Sequence, residues 1–157
     1  KGDFLDALAA YKDLLEKSKD KAKVHFLIGE TYTDMNQLAD AAQSYQKTIE
    51  TYDRQEKVTP EYLQKAYYRL GISFFNLNRF GPALEALKSA RDLFPDNSLR
   101  DWADFLMIES LEKLGDPSKV IEGLNRLVKS ENSDDLTRKA AESKAKIQEW
   151  EKQLKEG

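Results

Sequence analysis

An all-α fold, a stack of antiparallel helix hairpins, is what this sequence predicts, and three observations predict it. Phe4–Ala7–Tyr11 returns 34 residues on as Leu38–Ala41–Tyr45, and after a further 42 as Phe80–Ala83–Leu87. Self-similarity at such a period marks helical units that bury their apolar faces on one another. Apolar residues fall at helical spacing nearly everywhere, and no stretch alternates strictly, as a half-buried strand would. Charged residues make up 34% of the chain and hydrophobic ones 40%, which suits helices with wide exposed faces. Its 157 residues correspond to about one domain.

Eight helices follow in order. The first, 3–17, carries Phe4, Leu5, Leu8, Tyr11, Leu14 and Leu15 on one side and reads as the second half of a repeat. Because the chain opens on Lys1-Gly2-Asp3 without a Met, a fragment of a longer protein is expected. A hairpin of 21–35 and 37–52 turns at Met35-Asn36-Gln37. The next, 60–77 and 80–94, starts at Thr59-Pro60-Glu61: Thr59 to cap, Pro60 at the first helical position, Glu61 at the positive end of the dipole. The insertion Glu56–Leu63 is expected to lengthen both helices at that junction. Pro95-Asp96-Asn97 stops the chain before Ser98, a candidate cap for 99–114. Gly115-Asp116-Pro117 then turns into 117–130. The last helix, 134–155, follows Ser133 and carries Leu136, Ala140, Ile147, Trp150 and Leu154 on one stripe. It is expected to cover the final apolar face, with Trp150 as a packed anchor.

Setting the hairpins in register explains their small residues. Each first helix offers an apolar residue, a small one, and a large one three further on: Ile28-Gly29-Tyr32, Leu70-Gly71-Phe74, and the divergent Met107-Ile108-Leu111. Glycine costs about 1 kcal/mol inside a helix, so two matched glycines imply a neighbouring helix too close for a side chain. Ala7, Ala41 and Ala83 serve the same purpose in the second helices, and Val120 replaces them in the last.

This pattern resembles the tetratricopeptide repeat family, on Ile28, Gly29, Tyr32, Ala41 and Tyr45 in one unit and Tyr67, Leu70, Gly71, Phe74, Ala83, Ala90 and Pro95 in the next. The resemblance implies a right-handed superhelix: a half repeat at 1–20, repeats at 21–55, 60–97 and 98–132, and a capping helix at 133–157. It assigns Gly29, Tyr32, Ala41, Tyr45, Gly71, Phe74, Ala83 and Pro95 to repeat packing. His25 and Asp104 stand where the family often has Trp, and Ile108 stands at the small site, which puts the packing of the third hairpin in question. The longer second hairpin with Phe94-Pro95-Asp96 is loosely similar to repeats of bacterial envelope proteins, such as outer-membrane assembly lipoproteins and periplasmic partners of the Tol–Pal system. That similarity implies a periplasmic setting, with the cytoplasm as the alternative.

Little chemistry is legible. The sequence has no cysteine, which removes disulfides, thiolate metal sites and cysteine nucleophiles. Its one histidine, His25, lies among Phe26, Leu27 and Ile28 with no readable relation to a nucleophile or orienting carboxylate. Calcium loops with a central glycine are missing. Gly81-Pro82 and Gly115-Asp116-Pro117 are turns without the Lys-Ser/Thr pair of a phosphate loop. Asp134-Asp135 at a helix start compensates the dipole. No enzyme, cofactor or metal is therefore expected. The net charge of −3 comes from 25 basic and 28 acidic residues that are interspersed, which argues against nucleic acid. No apolar run approaches the ~20 residues that span a bilayer.

The working surface is then the concave side, lined by the first helices if the units stack as the resemblance implies. Three residues before each small site stand Phe26, Tyr68 and Phe105; one beyond it stand Glu30, Ile72 and Glu109. Thr33, Phe75 and Glu112 lie further along, and Lys23, Lys65 and Trp102 nearer the start. Rigid aromatic area in a hollow suits peptide capture, and marginal charges set orientation. The candidate groove is Phe26, Glu30, Tyr68, Ile72, Phe75, Trp102, Phe105 and Glu109; the other reading is that Phe26, Tyr68 and Phe105 bury against their neighbours. Phe26, Glu30 and Leu106 occupy the places where some family members clamp a terminal carboxylate, so recognition should be mainly apolar. The expected function is a non-enzymatic scaffold for a protein or peptide partner. The alternative is self-association through the end face of 3–17.

Overall fold

The structure, a computed structural model, describes residues 2–53, 58–129 and 135–156. Among them run eight helices: α1 (Gly2–Lys17), α2 (Lys21–Asp34), α3 (Leu38–Thr51), α4 (Glu61–Asn76), α5 (Phe80–Leu93), α6 (Arg100–Lys113), α7 (Pro117–Val128) and α8 (Asp135–Glu156). Every described boundary falls within two residues of expectation. Local punctuation explains that agreement. Asn36 and Asn78 (φ 58°) and Gly115 (φ 76°) take the left-handed conformation that ends a helix. In each, the next amide reaches back over the last turn: Gln37 to Tyr32 O, Arg79 to Phe74 O, Asp116 to Leu111 O. One turn has been built three times.

The caps are less regular. Asp20 and Asp116 accept from the amides of Lys23 and Lys119, as N-caps should. Thr59 does not cap α4: the helix starts at Glu61 with Pro60 at the N-cap, so Thr59 lies one residue too early. Ser98 misses α6 for the same reason; Leu99 is the N-cap, and Asn97 Oδ1 accepts from the Leu99 amide at 3.0 Å. The insertion does not lengthen α3, which has 14 residues like α5; only α4 grows, to 16. Residues 56 and 57 of that insertion, and Ser133 and Asp134, lie outside those described.

The small sites face what they were expected to face. A methyl carbon on Gly29 would stand 2.7 Å from the Tyr45 ring, and one on Gly71 would stand 2.6 Å from the Leu87 side chain. Ala41, Tyr45, Ala83 and Leu87 are fully buried, with Tyr32 and Phe74 half-buried around them. The third hairpin reverses the arrangement. Ile108 fills the first-helix site, and Gly123 on α7 makes way for it, a methyl there lying 2.9 Å from Ile108 Cγ1. Pro95 is exposed, and it ends α5 by forcing Phe94 out of helical geometry.

Curvature follows from which helices touch. Consecutive helices pack all along the chain, and α2 touches α4, α4 touches α6 and α6 touches α8. Among the described residues, none of α3, α5 and α7 touches another. The first helices therefore crowd on an inner, concave side, and the second helices splay outside.

At the far end, α8 differs from expectation. It turns Thr137 and Ala141 inward, and Ala145 packs against α6 and α7 residues. Trp150 is 68% exposed and Ile147 56%, so Trp150 is no anchor. It lies nine residues past Ala141, half a turn away at 100° per residue. Ala140 also faces out; the side chains of Leu136 and Leu154 lie outside those described.

Candidate partner-binding face

The concave side is built from α2, α4, α6 and α8, and its character changes along the stack. At the α2–α4 end, Glu30 receives the Tyr45 hydroxyl and lies 3.3 Å from Arg69 Nε. Thr33 shares a 2.8 Å hydrogen bond with the same hydroxyl. Burial, with Glu30 accepting its proton, raises the Tyr45 pKa well above 10, so the phenol stays a donor. Glu30 is thus a fixed carboxylate, tied to two helices.

In the middle the face is apolar. Ile72 and Phe75 are half-buried over the cluster of Tyr68, Leu87, Ala103 and Leu106, and Phe75 meets Phe80 edge-on at 5.6 Å. Beyond them Trp102 stacks on Phe105, with centroids 5.6 Å apart and planes 21° apart. Trp102 is 45% exposed, a broad ring held flat by its neighbour. Lys144 of α8 sits 6.0 Å over the Phe105 ring and is bonded to both Glu109 and Glu112. Burial works to lower the Lys144 pKa, but the two carboxylates outweigh it and the result is raised. Glu109, expected at the groove margin, is therefore paired.

Two of the expected groove residues leave it. Phe26 packs against Tyr45 and Tyr62, with centroids about 6 Å away, and keeps 9% of its surface. Tyr68 is fully buried and donates to Phe94 O at 2.8 Å. Its hydroxyl is pushed up to about 12, by burial first and the Asp104 carboxylate second. Both aromatics hold one hairpin to the next, which is the packing reading. Glu30, Ile72, Phe75, Trp102, Phe105 and Glu109 remain on the inner helices.

His25 is half-buried, its pKa lowered by burial and then by Lys47 and Lys21. Among the described residues, no three potential metal ligands of the His, Cys, Asp and Glu kind come together, and no helix is long and apolar enough to cross a membrane.

Sequence reasoning missed one cluster. Asp104, noted above as a departure, joins Arg91 at 3.4 Å and Arg100 at 4.0 Å on the outer side. Setting α6 against α4 at an offset of 37 residues puts it in the place of Tyr67. That exchange of a ring for a charge was the available signal.

The tetratricopeptide repeat family matches residues 1–56 and again 65–97. Among solved structures, a crystal structure of MamA is 24% identical with a TM-score of 0.67, covering 98% of this chain and 91% of that one. Another MamA crystal structure is 25% identical, with a TM-score of 0.64 and coverages of 98% and 85%. The nearly identical TPR-like repeats of a kinesin light chain assignment from Podosopora anserina are 12% identical, with a TM-score of 0.71 and coverages of 98% and 82%. No curated protein matches the chain in sequence. The structural likenesses speak for the fold.

Proposed function

The chain belongs to the tetratricopeptide repeat family, generally a module for protein–protein interaction, and from that premise we propose a non-enzymatic scaffold that holds a peptide or partner domain on its concave face. The observation that carries this reading is the Trp102–Phe105 stack: a large ring, nearly half exposed, on an inner helix, lying on Phe105, which packs against the same cluster as Ile72 and Phe75. A pre-ordered aromatic surface binds at low entropic cost, because little freedom remains to be lost. The Glu30–Arg69 and Lys144–Glu109 pairs at either end fix orientation more than they add affinity. The setting we propose is bacterial and envelope-associated, on the Phe94-Pro95-Asp96 pattern after the longer second hairpin.

The test replaces Trp102 by a photo-crosslinking residue in one variant and by Ala in another. The crosslinked partner should be retained by wild-type protein on a column and lost with Trp102→Ala at unchanged Tm. Retention by Trp102→Ala equal to wild type would overturn the reading.

A second reading rests on α1, which leaves Leu5 60%, Leu14 43% and Phe4 37% exposed beside buried Leu8. Such a face suits self-association. Light scattering across a concentration series checks it: a mass constant at that of one chain would exclude it.

A further inference from the structure

One buried position brings the inner helices into register. Val24, Ala66, Ala103 and Ala141 are each buried in a cluster with the second helix that precedes them: α1, α3, α5 and α7. Three residues on stand Leu27, Arg69, Leu106 and Lys144; six on stand Glu30, Ile72, Glu109 and Ile147. Apolar alternates with basic in the first set, and acidic with apolar in the second. The two sets meet between neighbouring inner helices. Arg69 reaches back to Glu30 at 3.3 Å, Ile72 packs on the cluster that holds Leu106, and Lys144 reaches back to Glu109. Among the described residues this leaves one member over at each end of the stack, Leu27 on α2 and Ile147 on α8. Both are apolar.

The second helices leave a matching pair. Among the described residues α8 has no second helix packed on it, and a groove lies there, lined by Ile121 and Asn125 of α7 and by Lys146, Glu149 and Trp150. At the other end α1 is a second helix that touches only α2, and it leaves Phe4, Ala10 and Leu14 exposed. Set in the groove as α5 is set on α4, α1 of another copy fits by register. Trp150 stands where Phe75 does and Phe4 where Phe80 does, and Phe75 meets Phe80 edge-on at 5.6 Å. Lys146 stands where Ile108 does and Ala10 where Gly123 does, so a bulky residue on the inner helix again faces a small one. The stems of Lys146 and Glu149, one charge of each sign, run past Ala7 and Ala10 towards water.

We propose that the chain stacks head to tail on itself: α1 of one copy fills the α7–α8 groove of another as the second helix of α8, and Leu27 of the incoming copy lies on Ile147. This rests on the reading of α1 as a self-association face and gives that face its counterpart. The contact joins two different surfaces, so it does not close at a pair and leads to rings or filaments. Its inner seam continues the alternation already built into the chain, apolar on apolar after Glu109 with Lys144.

The chain has no cysteine, so single introduced ones report on contacts. Ala10→Cys and Lys146→Cys copies, mixed under mild oxidation, should crosslink to each other faster than either does to itself. In light scattering, wild-type mass should rise with concentration past that of two chains. Ile147→Glu alters a side chain that is 56% exposed and should weaken association at least about tenfold at unchanged Tm, since the seam would bury an unpaired charge. Adding Leu27→Arg should restore association by recreating the Glu30–Arg69 pairing across the seam. A wild-type mass constant at that of one chain would overturn this proposal together with the self-association reading. Growth that stops at two chains, or that Ile147→Glu leaves unchanged, would overturn the head-to-tail contact and leave self-association through α1 standing. So would Ala10→Cys crosslinking fastest to itself.

Discussion

At Gly71 a single missing methyl group sets the distance between two helices. A methyl carbon there would stand 2.6 Å from Leu87 Cγ and Cδ2 and 3.0 Å from the Leu87 backbone nitrogen. The side chain could swing, but the backbone could not. Gly71→Ala would gain about 1 kcal/mol of helix propensity and, with backbone in the way, lose about 2–3 kcal/mol to overpacking, a net loss on the order of 1–2 kcal/mol. Gly81 meets nothing within 4 Å, so Gly81→Ala should gain about 0.5 kcal/mol. Urea unfolding of the pair reads both signs, and equal shifts would exclude close approach as the reason for Gly71. His25 supplies a pH test. Its folded pKa is lowered from 6.5, by burial first and then Lys47 and Lys21. Well above pH 6.5 the ring is neutral in both states and its contribution is constant. As pH falls below 6.5 the unfolded chain takes the proton first, so stability declines until the folded pKa is passed. Between about pH 6.5 and 5, where an ordinary imidazole titrates, Tm should fall less in His25→Gln than in wild type.

Among elements, the third hairpin shows how a repeat tolerates a broken rule. The first two place the small residue on the first helix and the large one on the second, Gly29 with Tyr45 and Gly71 with Leu87; the third exchanges them as Ile108 and Gly123. Gly123→Ala should therefore destabilise, by about 1–2 kcal/mol, and Ile108→Ala should cost about 2–4 kcal/mol through its own cavity. Combined, the two should cost at least 0.5 kcal/mol less than their sum, because the shorter side chain makes room for the new methyl. Strict additivity in urea unfolding would show that the two residues do not press on each other. This exchange also marks where the sequence stops being legible. Helix number and ends could be read because apolar spacing, Asn36, Asn78 and Gly115 act locally. The role of Gly123 could not, since Ile108 in place of glycine says that something must yield without saying which helix yields. Thr59 and Ser98 failed as caps by one residue, a distance that pattern reading does not resolve. Trp150 failed for a different reason: α8 packs through the small faces of Ala141 and Ala145, and Ala140, Ile147 and Trp150 point away.

Across the whole molecule, the same helix position is buried in the first two hairpins and half-buried in the third, and that decides which aromatics remain for a partner. Three residues before the small site, Phe26 points into the second hairpin, against Tyr62, and Tyr68 into the third, against Ala103 and Leu106. Their burial is invisible to a reading of one hairpin at a time, because the ring is covered by the hairpin that follows. Phe105 is followed by α8, whose lysine and small residues leave it half-buried, and Trp102 lies on it. Stability and binding should accordingly separate along the stack. Phe26→Ala and Tyr68→Ala each empty a core site and should cost about 3–5 kcal/mol, a large part of the ~5–15 kcal/mol that holds a domain together. Trp102→Ala removes a ring already 45% exposed and should cost less than about 1 kcal/mol. Thermal melts of the three variants should rank Trp102→Ala near wild type and the other two far below it. Partner retention, measured below the lowest melting point, should rank Trp102→Ala last. A Trp102→Ala melt as low as that of Tyr68→Ala would make Trp102 a structural residue and remove the open ring on which the concave-face reading rests.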